Sequence, residues 1–282
     1  MYPSLMADMI GIDCDPFGSI AYARRFGFAG VDLRLDRFAH HFDSDASVAR
    51  FRNELSRANL RTGYCAILPG KISCDDAEWA AGIKRAPLLA RLARSLGYTR
   101  SASVVLPGHD ALEFETNRDL HVRRIREAMD VLGEYGIALA LEYVAPLTRR
   151  APFRHKFIHT LEGLLDLLEA AGRPGAGVLL DCFHWYCARE TRADIEAVPA
   201  HRIVVVHVND AIPGRSIDEQ VVGERLLPGE SGVIDLQGFF AALRTIGYDG
   251  PVACEPTHPV WATTPHDAAA ERTAKSLRAF LG

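Results

Sequence analysis

Short apolar runs alternate with longer amphipathic segments along the whole 282-residue chain, and that alternation leaves few folds open. Apolar runs of this length, bounded by Gly, Pro or polar residues, have the pattern of strands buried on both faces of a parallel sheet. In order, the expected strands are LMADMIGI, VDLRL, TGYCAIL, SASVVL, IALALE, GVLLD, RIVVVHV and PVACE. The first expected helices are SIAYARRFG closed by Gly27, DASVARFRNELSRAN with Asp45 as N-cap, and Glu78 to Leu96 with Pro87 as a kink point. Asn117 to Tyr135, TLEGLLDLLEAAG, a short helix around Ala193 to Val198, IDLQGFFAALRTIG and HDAAAERTAKSLRAFLG follow. Eight βα units in a chain of this length fit an α/β fold of the single (β/α)8 TIM barrel kind over residues 1–282, better than a doubly wound sheet.

Composition narrows the functional classes. A formal net charge of −4 supplies no basic face, so nucleic acid is not an expected partner. No apolar stretch approaches the roughly 18–20 residues that span a bilayer, and no membrane association is expected. MYPSLMADMIGIDCD lacks the basic segment and apolar core of a secretion signal, which points to a cytoplasmic protein. The six cysteines are scattered without a CxxC pair and read as reduced, small hydrophobic residues.

Four of the expected strands end in an ionisable group: Glu142 after IALAL, Asp181 after GVLL, His207 after IVVV and Glu255 after PVAC. A lone histidine on a strand is more often a hydrogen-bonded core residue than a ligand. Four in succession are different, because the carboxyl ends of parallel strands converge where ligands bind. Burying three carboxylates together without compensation is very costly, and a divalent cation supplies the missing charge. Oxygen ligands with one imidazole suit Mn²⁺ or Mg²⁺, with Co²⁺ or Zn²⁺ as further candidates. Four protein ligands leave about two positions of an octahedral shell open. A hydroxy-ketone fills two such positions through its carbonyl and adjacent hydroxyl oxygens, and its neighbouring C–H becomes acidic. Two carboxylates in different protonation states then remove and return a proton.

The segments LDCFHWY, VVVHVND, ERLLPGESGVIDL and GYDGPVACEP resemble the xylose isomerase-like TIM barrels. The likeness is strongest from Ile137 to Pro256, and within the family it is greatest to inosose (2-keto-myo-inositol) isomerases and ketose 3-epimerases. The resemblance implies that Glu142, Asp181, His207 and Glu255 hold the metal and that Glu142 and Glu255 are the two catalytic acid/base groups. It implies substrate contacts from His184, three residues after Asp181, and from Arg225 of RLLPG, which contacts the substrate or orients the second glutamate. Arg215 is a weaker candidate in the same loop. The implied activity is a divalent-metal-dependent isomerase or epimerase of a keto-polyol or ketose, inosose-type, working through a metal-bound enediolate. The alternative is a metal-dependent dehydratase of an inosose or of 3-dehydroshikimate. Relatives suggest a homodimer or homotetramer by analogy. Type IV apurinic endonucleases share the barrel but need further metal-binding histidines, which TGYCAIL and SASVVL lack.

Two connections exceed what barrel turns require: Tyr143 to His159, carrying TRRAPFRHK, and Asn209 to Val233. Long loops on the catalytic face shape or cover a pocket. The basic TRRAPFRHK stretch is suited to an anionic group on a substrate, although Arg149, Arg150 and His109 read first as solvated loop residues. LPGESGVIDL carries one residue more than the family's usual P-G-x-G-x-I-D, which predicts a differently shaped turn.

Overall fold

The computed structural model describes residues 1–281. Eight parallel strands form one curled sheet: β1 (Tyr2–Leu5), β2 (Gly30–Leu33), β3 (Arg61–Cys65), β4 (Arg100–Val105), β5 (Ala138–Tyr143), β6 (Ala176–Asp181), β7 (Ile203–Val208) and β8 (Pro251–Cys254). The hydrogen-bonded order is β3-β2-β1-β8-β7-β6-β5-β4, so the first strand pairs with the last, with Tyr2 opposite Pro251. Among the described residues β3 and β4 share no strand ladder. The chain leaving β3 closes that seam instead: Val104 donates its N–H to the Gly70 carbonyl at 2.9 Å, and Ile72 donates to the Val104 carbonyl at 3.0 Å. The Ser103 hydroxyl adds a 2.9 Å bond to the Pro69 carbonyl. The result is the TIM barrel expected from the strand count.

The helices start and stop where local chemistry supplies partners for their free ends. Asp15, Asp75, Thr160 and Asp235 each accept a backbone N–H from three residues on, at 2.7, 2.8, 3.2 and 2.9 Å. Gly27, Gly97 and Gly172 end their helices in the left-handed conformation. The large apolar core lies between strands and helices, and a smaller cluster with Met6, Tyr64, Ala140, Leu179, Val205 and Ala253 lies inside the ring.

Several element boundaries differ from the sequence reading. The first strand ends at Leu5, and Ala7–Ile10 forms a 3-10 turn. That turn closes at Gly11 (φ 73°), where a Cβ would stand 2.2 Å from the Trp261 carbonyl oxygen, so only glycine fits. VDLRL splits after Leu33, because Asp36 donates its N–H to the Ala66 carbonyl at 3.0 Å and a short helix, Leu35–Phe38, begins. TGYCAIL likewise leaves the sheet after Cys65. Ser44, not Asp45, caps the helix Asp45–Arg57. Asp76–Leu96 is one helix through Pro87, and the helix expected from Asn117 begins at Phe114. Gly282, the last residue of the closing helical segment, lies outside the described residues.

Candidate metal centre

Strand parity aims the four ionisable residues at one point. Side chains two apart on a strand share a face. Ala140, Leu179, Val205 and Ala253 belong to the cluster inside the ring. Glu142, Asp181, His207 and Glu255 each stand two positions further on, toward the carboxyl end. Register sets their level: Asp181 pairs with His207, and His207 lies between β6 and β8 opposite Ala253. One nitrogen or oxygen from each of the four side chains lies within 4.8 Å of the others.

The cluster is almost fully buried: Asp181 is 0% exposed, His207 2% and Glu142 6%. His207 Nδ1 is 3.3 Å from Glu255 Oε2 and 4.0 Å from Glu142 Oε1. Arg225 enters from the loop after β7. Its Nη1 donates to Asp181 Oδ2 at 3.0 Å, its Nη2 lies 3.2 Å from Glu255 Oε2, and its Nε donates to Thr257 Oγ1 at 2.7 Å. The Arg225 backbone N–H also donates to the Thr257 carbonyl at 3.1 Å. Asn209 Nδ2 donates to both oxygens of Asp181, at 3.2 and 3.1 Å, and Phe183 N–H caps Oδ1 at 2.6 Å. Glu142 Oε1 and His207 Nε2 remain buried without any hydrogen-bond partner.

Electrostatics pulls the carboxyls apart. Burial, followed by repulsion from Glu255 and Asp181, pushes Glu142 far above the usual carboxylate range. Burial also opposes ionisation of Glu255, yet Arg225 and the hydrogen bond to His207 outweigh it and hold this group well below that range. Burial raises Asp181, and Arg225 offsets part of the rise. Burial disfavours the His207 imidazolium, but Glu255 first and then Glu142 and Asp181 raise it to about 9. A proton on His207 and a divalent cation therefore answer the same excess of negative charge. Three carboxylates, one imidazole and a buried carboxylate oxygen with no protein donor form a donor set that fits a divalent cation.

His184 is buried one turn into the short helix Cys182–Cys187, which Asp181 caps. Its Nδ1 accepts the Ala145 N–H at 3.5 Å, which assigns the proton to Nε2, 3.9 Å from Glu142 Oε1. Burial, then the nearby Arg225 charge, lowers His184 to about 3, so the ring is a neutral donor facing the cluster.

A cavity of about 180 Å³ opens over Glu142, His207 and Glu255 and is walled elsewhere by Met6, Met9, Arg34, Asp36 and Tyr64. Larger clefts lie on the outer surface, such as one of about 690 Å³ along Ser73–Asp76 and His109, away from the four ligand side chains. The basic loop after β5 does not supply the cavity with an anion site, contrary to the sequence expectation. Lys156 donates to the carbonyls of Arg150, Ala151 and Phe153, Arg150 meets His159 at 3.0 Å, and Arg149 lies over the Phe153 ring. Arg215 pairs with Glu224 at 2.5 Å, and His109 accepts the N–H groups of Ala111 and Leu112. The loop carrying LPGESGVIDL is pinned by Asp210, whose carboxylate accepts the N–H groups of Ser231, Gly232 and Ile234 at 3.0, 2.8 and 3.1 Å.

The segment VVVHVND contains Asn209 and Asp210, to which the sequence alone assigns no task. Thr257 and the Arg34–Asp36 wall have no sequence signal, because only folding brings those loops to the cavity.

Comparisons with known proteins agree with this fold. Residues 20–280 match the family described as xylose isomerase-like TIM barrel. The inosose isomerase of Bacillus velezensis is 26% identical over 188 residues, a match covering 66% of this chain and 61% of that protein. The chain thus spans less than two thirds of the length of that curated relative. A xylose isomerase domain protein from Alicyclobacillus acidocaldarius is 27% identical, with a TM-score of 0.86 over 100% of this chain and 98% of that one. The IolI protein, solved with a bound zinc atom, shares the fold with a TM-score of 0.82 at 17% identity, over 100% of this chain and 98% of its own.

Proposed function

The chain belongs to the xylose isomerase-like TIM barrel family, and from that premise we propose that it is a divalent-metal-dependent isomerase or epimerase of a keto-polyol or ketose, with an inosose-type substrate favoured. One observation carries the reading: the donor atoms of Glu142, Asp181, His207 and Glu255 lie within 4.8 Å of one another at the carboxyl ends of adjacent strands. When bound, Mn²⁺ or Mg²⁺, or alternatively Co²⁺ or Zn²⁺, polarises a substrate carbonyl and stabilises the charge that develops on its oxygens.

The chain's own residues do the rest. Glu142 on β5 and Glu255 after β8 face the cavity from different strands, so one removes a proton beside the carbonyl and the other returns it. His184 presents its Nε2–H to a substrate oxygen near Glu142. Arg225 is a positioning residue, since its guanidinium fixes Asp181 and Glu255 together. The inosose isomerase relative supports the choice of substrate. Proton NMR in D₂O with the metal-loaded protein and an inosose tests the proposal. Deuterium incorporation at the carbon beside the carbonyl, with a new keto-polyol signal, is the expected result. Loss of water with a new alkene or deoxy-ketone signal would replace it with the dehydratase reading.

A further inference from the structure

We propose that Arg34 and Asp36, with Asp8 bonded to Arg34, form a distal wall of the reaction cavity that selects neutral polyhydroxylated substrates over phosphorylated or carboxylated ones; this rests on the keto-polyol reading above. The cavity runs from Glu142, His207 and Glu255 at one side to Arg34 and Asp36 at another. At about 180 Å³ it is below the roughly 300–1,000 Å³ of sites for drug-sized ligands, so a molecule bound at the metal centre also meets this wall.

A free arginine in such a place would be the natural seat of a phosphate or carboxylate. Arg34 is not free. Its Nε and Nη2 donate to the two oxygens of Asp36 at 3.1 and 2.9 Å, and its Nη1 donates to Asp8 Oδ2 at 3.3 Å. Both faces of the fork are engaged by carboxylates of the protein itself. Arg37 is paired with Asp13 at 3.6 Å, and Arg85, which donates to the Asp36 backbone carbonyl at 3.3 Å, balances the second carboxylate, so the wall holds no surplus positive charge to offset the desolvation of an anion.

Hydroxyl groups suit the wall where anions do not. Side-chain exposures of 41% for Arg34 and 32% for Asp36 leave carboxylate lone pairs and guanidinium N–H groups open to a ligand. A substrate hydroxyl donates to Asp36 and accepts from the guanidinium edge, with no net charge to oppose. Met6 and Met9 add an apolar surface for the C–H face of a polyol ring. The wall is also anchored: Arg34 and Asp36 follow β2, and Asp8 lies in the 3-10 turn after β1.

The test is calorimetric titration of the metal-loaded protein with myo-inositol and with myo-inositol 1-phosphate, which reads binding without turnover. The wild type is expected to bind the neutral polyol at least tenfold more tightly. The Asp8→Asn/Asp36→Asn double variant, changed only at partly exposed positions, should shift the preference toward the phosphate by tenfold or more. Arg34→Ala should weaken inositol binding severalfold with metal affinity unchanged. Equal or tighter binding of the phosphate by the wild type, or an unchanged preference in the double variant, overturns the proposal. Failure of the underlying reading looks different: proton exchange from every ketol would be absent while the binding preference persisted.

Discussion

Arg225 places its Nη2 3.2 Å from Oε2 of Glu255, so the glutamate that ends the barrel is held by a side chain from the preceding connection. The same guanidinium reaches Asp181, and Thr257 holds it from behind. Removing it leaves two buried carboxylates short of one compensating charge. Arg225→Ala should destabilise the metal-free protein by about 3–5 kcal/mol. Saturating Mn²⁺ should recover much of that loss, and kcat should still fall at least tenfold. Urea denaturation with and without metal checks this; equal destabilisation in both conditions would show that Arg225 does not share the cation's charge-balancing task.

Glu255→Gln keeps the shape of the side chain and removes its ability to take a proton. Deuterium exchange into substrate should drop by about 10²–10⁴-fold, the usual scale for a lost general base. The circular dichroism spectrum should remain that of the wild type. Full exchange activity in a metal-loaded variant would transfer the proton step to another group.

Metal removal should abolish turnover, and added Mn²⁺ should restore it. Because the ion binds the folded cluster, free metal at a hundred times its dissociation constant should add about 2.7 kcal/mol of stability. Asp181→Asn should weaken metal binding and shrink that increment. A melting temperature indifferent to metal would contradict the four-residue ligand set.

Beneath the site, Asp32 is a buried carboxyl bound by the Ser4 hydroxyl at 3.0 Å and the Tyr64 N–H at 2.8 Å, and burial raises it to about 7. The folded protein therefore holds this proton more tightly than the unfolded chain, where the ordinary value is 3.8. The stabilising contribution is complete below the unfolded value and is lost as pH rises through the folded one. Asp32→Asn cannot ionise. Between pH 5 and pH 8 its stability should improve relative to wild type by roughly 2–3 kcal/mol. Denaturation curves at both pH values decide it, and a constant difference would mean that Asp32 stays ionised in the fold.

The four-residue cluster is more legible in the sequence than the rest of the cavity, for a physical reason. Glu142, Asp181 and His207 extend buried strands and Glu255 directly follows one, where apolar patterning fixes both location and facing. Arg225 and His184 came from motif likeness, and the structure adds what spacing alone does not carry: Arg225 lies on the carboxylates themselves. The turns after β1, β2 and β3 were read as strand because their residues are apolar. Their true paths depend on long-range contacts, such as the Trp261 carbonyl over Gly11 and the Asp36 to Ala66 backbone bond. In the basic loop, Lys156 is committed to carbonyls of its own loop and Arg149 and Arg150 to rings of that loop, partners that a charge pattern does not reveal.

The seam between β3 and β4 gives the barrel a mechanical polarity. From β5 to β8, neighbouring strands are joined by parallel ladders, with one register shift between Val178 and Leu179, and the four ionisable residues ride on that stretch. At the seam, the strap of residues 69–72 bonds to Ser103 and Val104, Cys65 Sγ lies 3.5 Å from the Arg100 carbonyl, and Gly70 and Val104 border the cavity. The molecule is a split cylinder, laced along the arc that carries the four ionisable residues and stapled by a connecting loop where the cavity reaches the seam.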